Sequence, residues 1–143
     1  MKDFGQPPPD CVIFLLAKAY QKGHALMKAR LKNFDLTNMQ HLVLEAIWYR
    51  PGVTASELSG LLLLDKATLS GVLDRLFEKD WIFKEDDPVD KRLVRWHAAE
   101  RAHQLKALLV EERRLANEEL LAPLTVEESI LFKRVLFTLF EQT

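Results

Sequence analysis

The chain has 143 residues, 48% of them hydrophobic and 29% charged, with a formal net charge of −1. That length and apolar content suit one compact domain or two small lobes on a shared core and exclude a disordered chain, while the near-zero charge confines any nucleic-acid surface to a local patch. The single cysteine, Cys11, excludes an internal disulfide and an all-cysteine metal site; no apolar run approaches a membrane span, and Met1 to Asp10 lacks the basic-then-apolar order of a secretory signal, so a cytoplasmic protein without membrane contact is expected.

Pro7-Pro8-Pro9-Asp10 makes a stiff start, with Asp10 placed to cap a first helix from about Asp10 to Lys32, where Val12, Leu15, Leu16, Ala19, Tyr20, Leu26, Met27 and Leu31 recur at mostly helical spacing. Gly23 is a candidate bend. Thr37 with Gln40 reads as a capping box before a second helix carrying Leu42, Leu44, Ile47 and Trp48, which stops before Pro51-Gly52. Thr54 with Glu57 opens a short third helix through Leu62. Asp65 caps a fourth, Lys66 to Lys79, whose Leu69, Val72, Leu73, Leu76 and Phe77 form one apolar stripe. Trp81 to Lys84 and Leu93 to Trp96 read as strands of a hairpin with the charged, turn-rich tip 85–92 between them. A fifth helix runs from Ala98 to about Leu121, with Leu105, Leu108, Leu109, Leu115 and Ala116 on one face, and ends before Pro123. Thr125 with Glu128 caps a last helix holding Ile130, Leu131, Phe132, Val135, Leu136, Phe137, Leu139 and Phe140. That helix is apolar around more than the roughly 100° that one buried stripe needs, so a second copy of the chain is its expected cover.

The fold class is therefore mainly α: about six helices plus a two-stranded β-wing, a winged helix-turn-helix. Opposite the apolar stripe, the fourth helix carries Ala67, Ser70, Gly71 and Asp74, with Lys66, Thr68 and Arg75 at the margins. Small and hydrogen-bonding side chains on one face can enter a major groove and approach base edges, although a solvated helix face would look the same. Lys91 and Arg92 stand on the hairpin beside Asp90; an arginine on a narrow loop can enter a minor groove, and Asp90 can hold its guanidinium. Between Thr54 and His97 there are seven Lys or Arg and nine Asp or Glu. A lobe with that balance is expected to bind DNA modestly alone and to need two copies acting together.

Leu36-Thr37-x-x-Gln40, Arg50-Pro51-Gly52-Val53-Thr54-Ala55-Ser56-Glu57-Leu58, the run Leu64 to Leu76, Asp87-Pro88-x-Asp90-Lys91-Arg92 and Leu124-Thr125-x-Glu127-Glu128 together resemble the MarR family of bacterial transcriptional regulators. The resemblance implies a homodimer joined by its terminal helices (1–36 and 98–143) around a DNA-binding lobe (37–97). It implies a recognition helix at Lys66 to Lys79, a wing whose Asp90 and Arg92 match the family's aspartate and minor-groove arginine, and a palindromic operator in double-stranded DNA. It also implies release of DNA by a small aromatic or phenolic ligand. Tyr20, His24 and Met27 share a face of the first helix, and in the resembling fold His41 and Trp48 lie nearby, a lining suited to such a ligand or to plain core packing. Four positions depart from the family pattern: Asp80 replaces a glycine after the recognition helix, Ala98-Ala99 a Leu-Thr pair, and Ala102 a further glycine. The first would take a left-handed cap at some cost.

Cys11 does not fall where peroxide-sensing relatives carry their cysteine, and a buried or incidental thiol is expected. His24, His41, His97 and His103 have no metal-motif spacing, and neither a phosphate-binding loop nor a nucleophile elbow is present, so no enzyme, metal or cofactor is expected. A winged-helix interaction or dimerisation module without DNA binding remains the competing reading.

Overall fold

The computed structural model describes residues 9–141. Pro7 and Pro8 of the stiff start lie outside the described residues. Among the described residues are six α-helices, one 3-10 turn (Lys32–Phe34) and three strands: α1 (Val12–Leu31), α2 (Asn38–Tyr49), β1 (Val53–Thr54), α3 (Ala55–Leu62), α4 (Lys66–Glu78), β2 (Ile82–Asp86), β3 (Val94–Ala98), α5 (Glu100–Leu121) and α6 (Val126–Glu141). The sheet is antiparallel in the order β1-β3-β2. No helix of the described residues is long and apolar enough to cross a membrane.

Local chemistry accounts for most boundaries. Thr37/Gln40, Thr54/Glu57 and Thr125/Glu128 each form the reciprocal capping box, side chain to backbone in both directions. Asp65 caps α4 by accepting from the Thr68 N–H at 2.8 Å. Asp10 does not cap α1: Cys11 holds the N-cap position, exposed rather than buried, and no side chain accepts there. Nor does Gly23 interrupt α1. A Cβ at that position would meet Leu120 Cδ2 at 3.2 Å, so the glycine serves the close approach of α5. Asp80 adopts the left-handed conformation, φ 60°, and completes a Schellman end: its N–H bonds to Phe77 O and the Trp81 N–H to Leu76 O.

Three boundaries differ from the sequence pattern. Trp81 is not the first residue of a strand but a fully buried plug before β2, with Arg101 stacked over its ring at 4.1 Å. β3 runs through Ala98, which pairs with Ile82, so α5 starts at Glu100 with Ala99 as its N-cap. β1 gave no strand signal, because two residues cannot display an alternation. Gly52, at φ 80°, turns the chain so that its N–H reaches Trp96 O at 2.9 Å, and Val53 then pairs with Trp96.

The core is formed by Leu31 of α1, Val43, Leu44 and Ile47 of α2, Leu58 of α3, Leu69, Leu73 and Leu76 of α4, Trp81, and Leu109 of α5. α1 and α5 lie along each other, and Arg30 bridges them to Glu112 and Glu119 at 3.1 and 3.3 Å. The helix-turn-helix lobe joins this pair through Lys79, whose ammonium reaches Asp35 O at 2.8 Å and whose carbonyl accepts from Arg101 at 2.9 Å. α6 buries no residue at all.

Candidate nucleic-acid interface

α4 offers one face to the core and the other to solvent. Lys66, Ala67, Thr68, Ser70, Gly71, Asp74 and Arg75 are all exposed, while Leu69, Leu73 and Leu76 are buried on the opposite side. A Cβ built on Gly71 would meet nothing within 4 Å, so the backbone there is open to a close approach. Phe77, expected at the edge of the apolar stripe, stays partly exposed; it packs edge-on against Trp96, with the Lys84 ammonium over its ring. A shallow groove of about 430 Å³ runs beside α4, where Ser56 of α3 and Lys84 of β2 join Lys66, Ser70 and Asp74. Neither Ser56 nor Lys84 stood out in the sequence, since their nearness to α4 depends on the sheet.

The wing is ordered by two carboxylates. Asp87 accepts the N–H groups of Val89 and Asp90 on Oδ1, at 2.9 and 2.8 Å, and the Arg95 Nε on Oδ2 at 2.6 Å. The backbone bond from Asp90, then Arg95, hold its carboxyl at about 2. Arg95 also donates to Gly52 O at 3.0 Å, tying the wing to the turn before β1. Asp90 in turn grips Arg92 through both oxygens, Nε to Oδ1 and Nη2 to Oδ2 at 3.1 Å each, and takes its backbone N–H as well. The Arg92 side chain is 90% exposed even so. A fork held on one edge and open on the other is pre-oriented, which lowers the entropy lost on meeting a phosphate or base edge. Lys91 beside it is exposed.

Tyr20, His24 and Met27 lie together on the wall of a cleft of about 530 Å³ between α1, α5 and α6, and the Tyr20 and His24 rings stack at 5.8 Å. His41 and Trp48 do not line it; both are buried in the core behind, because α2 turns that face toward Leu109 and α5. His41 places Nε2 3.0 Å from Leu109 O, while Nδ1 lies 2.9 Å from the Arg113 Nε. Arg113 cannot accept, so Nδ1 is the acceptor and Nε2 carries the hydrogen: the ring is neutral. Burial, and then the Arg113 charge, push its pKa down to about 4. Arg113 also pairs with Glu45 at 3.1 Å and donates to Asn38 Oδ1 at 3.0 Å, and its other side faces the cleft. Glu45 is held above the usual carboxylate range by burial, against the pull of Arg113. His41 is thus linked to the cleft through Arg113, a residue without any distinguishing motif. Among the described residues no three His, Cys, Asp or Glu side chains are grouped to hold a metal ion.

Comparison with known proteins follows the same outline. The sequence profile of the MarR family matches residues 36–94. The transcriptional regulator HosA of Escherichia coli O111:H- is 33% identical over 102 residues, covering 71% of this chain and 75% of the relative. A probable transcriptional regulator from Pseudomonas aeruginosa superimposes with a TM-score of 0.85 at 27% identity, covering 92% of this chain and 98% of the other. A cysteine-to-serine mutant of Escherichia coli MarR, solved in complex with operator DNA, superimposes with a TM-score of 0.82 at 27% identity over 88% of this chain and 91% of its own.

Proposed function

This chain belongs to the MarR family of winged helix-turn-helix transcriptional regulators, and from that premise we propose that it binds a palindromic operator as a homodimer and acts as a ligand-responsive repressor. In this reading α4 enters the major groove with Lys66, Ala67, Thr68, Ser70, Gly71, Asp74 and Arg75, and the wing sets Arg92, with Lys91 beside it and Asp90 behind it, into the adjoining minor groove. The observation that carries it is the pairing of two prepared surfaces on one lobe: an α4 face with nothing over Gly71, and a wing-tip guanidinium gripped by Asp90 yet open to solvent. The solved relative with a shared fold in complex with operator DNA supports the same docking. The competing reading, a lobe without DNA binding, has no comparable support.

The dimer is supported by α6, where Ile130, Leu131, Phe137 and Leu139 are each more than half exposed in the single chain. An apolar surface of that kind on a soluble chain marks an interface. Two lobes bound together also offset the weak electrostatics of each. Tyr20, His24 and Met27 on the cleft wall, with Arg113 among them and His41 and Trp48 behind, support a small aromatic or phenolic ligand as the effector. The cleft volume lies within the ordinary range for small-molecule sites, roughly 300–1,000 Å³.

The test is operator and random-duplex affinity at several salt concentrations. Gly71→Leu should abolish specific binding and leave the dimer folded, because the new side chain meets open space within the protein and collides only with a base edge. Lys66→Ala should weaken all duplexes alike and flatten the salt slope by roughly one unit per site. Operator affinity of Gly71→Leu equal to the parent's would remove α4 from the groove.

A further inference from the structure

The following rests on α4 entering the major groove. Thr68 engages both oxygens of Asp65: its backbone N–H donates to Oδ1 and its hydroxyl Oγ1 to Oδ2, each at 2.8 Å. These bonds hold the Asp65 carboxyl below the usual range, so it is ionised at neutral pH. A carboxylate brings no hydrogen to such a contact, so the hydrogen shared with Oδ2 is the only one the Thr68 hydroxyl has. What Thr68 presents to solvent is therefore a methyl group and lone pairs. Bonds to an ionised acceptor are about twice as strong as neutral ones. A neutral base oxygen cannot readily draw that hydrogen away.

The major groove offers two kinds of exocyclic group at each position of a strand: an amino donor on adenine N6 or cytosine N4, or a carbonyl acceptor on thymine O4 or guanine O6. A hydroxyl free to rotate serves either. We propose that Thr68 is a specificity-determining residue that accepts from a base amino group and rejects the carbonyl bases, and that Asp65 sets this preference from behind, as a positioning residue that never touches DNA. Against thymine or guanine, Thr68 must either oppose lone pair to lone pair or give up its bond to Asp65. Specificity then arises from a repulsive element as much as from an attractive one.

The experiment is selection of bound duplexes from a random pool with the full chain, run in parallel for the parent, Thr68→Val, Thr68→Ser and Asp65→Asn. Thr68→Val keeps the shape and loses the acceptor. It should erase the preference at one base pair of each half-site, worth roughly tenfold in the parent, and leave the other positions unchanged. Thr68→Ser keeps the hydroxyl and should retain the parent's choice there. Asparagine caps a helix as well as aspartate, and in Asp65→Asn its Oδ1 can still take the Thr68 N–H. Its Nδ2 then donates to Oγ1, which frees the hydroxyl hydrogen to point at the base. At that same position the parent's preference for the amino base should be lost, because the hydroxyl can then donate to a carbonyl as well as accept from an amino group. A Thr68→Val operator identical to the parent's, or an Asp65→Asn operator that keeps the parent's base at the position Thr68→Val identifies, overturns the inference. A parent that enriches no duplex at all overturns the DNA-binding reading itself and this inference with it, an outcome distinct from the other two.

Discussion

Of the thirteen residues of α4, Leu69, Leu73 and Leu76 are buried against the lobe core; of the sixteen residues of α6, none is. Both helices carry enough leucine and phenylalanine to pack. In α4 the apolar residues fall on one stripe, the lobe covers it, and the opposite face is left for small and polar side chains. In α6 they spread around the helix, and Ile130, Leu131, Val135, Phe137 and Leu139 stay exposed. The difference separates an element completed within one chain from an element that one chain cannot complete. It also separates the two halves of the proposed function: α4 is held by its own lobe core, and α6 would bring two such helices to one operator.

The largest test of this contrast is to remove α6. A chain ending at Thr125 should be aggregated or unfolded, because without α6 the proposed dimer interface is lost and the exposed Val12, Ile13 and Leu15 of α1 have no partner helix to cover them; light scattering after size-exclusion chromatography reads the result. A soluble, well-folded monomer from that truncation would mean that α6 is ornamental and that no dimer depends on it. A finer test compares single leucines. Leu69→Ala, fully buried in α4, should cost about 2–5 kcal/mol in chemical denaturation and leave the dimer dissociation constant unchanged. Leu131→Ala, half exposed in α6, should do the reverse, weakening self-association in sedimentation equilibrium and altering the lobe little. Equal effects of the two substitutions on both measurements would erase the distinction between the helices.

The seam between the two regions gives a third, smaller test. His41 of α2 is neutral and buried against Leu109 and Arg113 of α5, with its pKa lowered from 6.5 to about 4. The unfolded chain therefore binds a proton more readily than the folded one between those values. The stability from His41 is fully present above pH 6.5, declines as the pH falls through that window, and is gone below about 4, a loss on the order of 3 kcal/mol. Glu45, whose carboxyl is raised by burial, works in the opposite sense at the acid end of the window. Comparing the parent with His41→Gln isolates the histidine: thermal midpoints from pH 7 to pH 4 should fall more steeply for the parent. Parallel profiles for the two proteins would mean that His41 titrates in the folded chain as it does in the unfolded one.

The sequence alone determined what depends on residues a few positions apart. Four helix starts, the α4 stripe and the Asp90–Arg92 contact all rest on neighbours four residues apart or fewer, and a spacing rule captures each of them; the left-handed turn at Asp80 was legible through the family resemblance. The tertiary structure decided what depends on distant partners. Arg113 and His41 are 72 positions apart, Arg95 and Gly52 are 43 apart, and neither pair carries a local signal. β1 exists only because β3 passes beside it. His41 and Trp48 looked fit to line a cleft because aromatic and polar character is visible in a sequence; which way α2 turns them is not, since that depends on the face α5 occupies. Local hydrogen bonds and helical periodicity are written along the chain, whereas burial and charge pairing across the fold are fixed only when the elements meet.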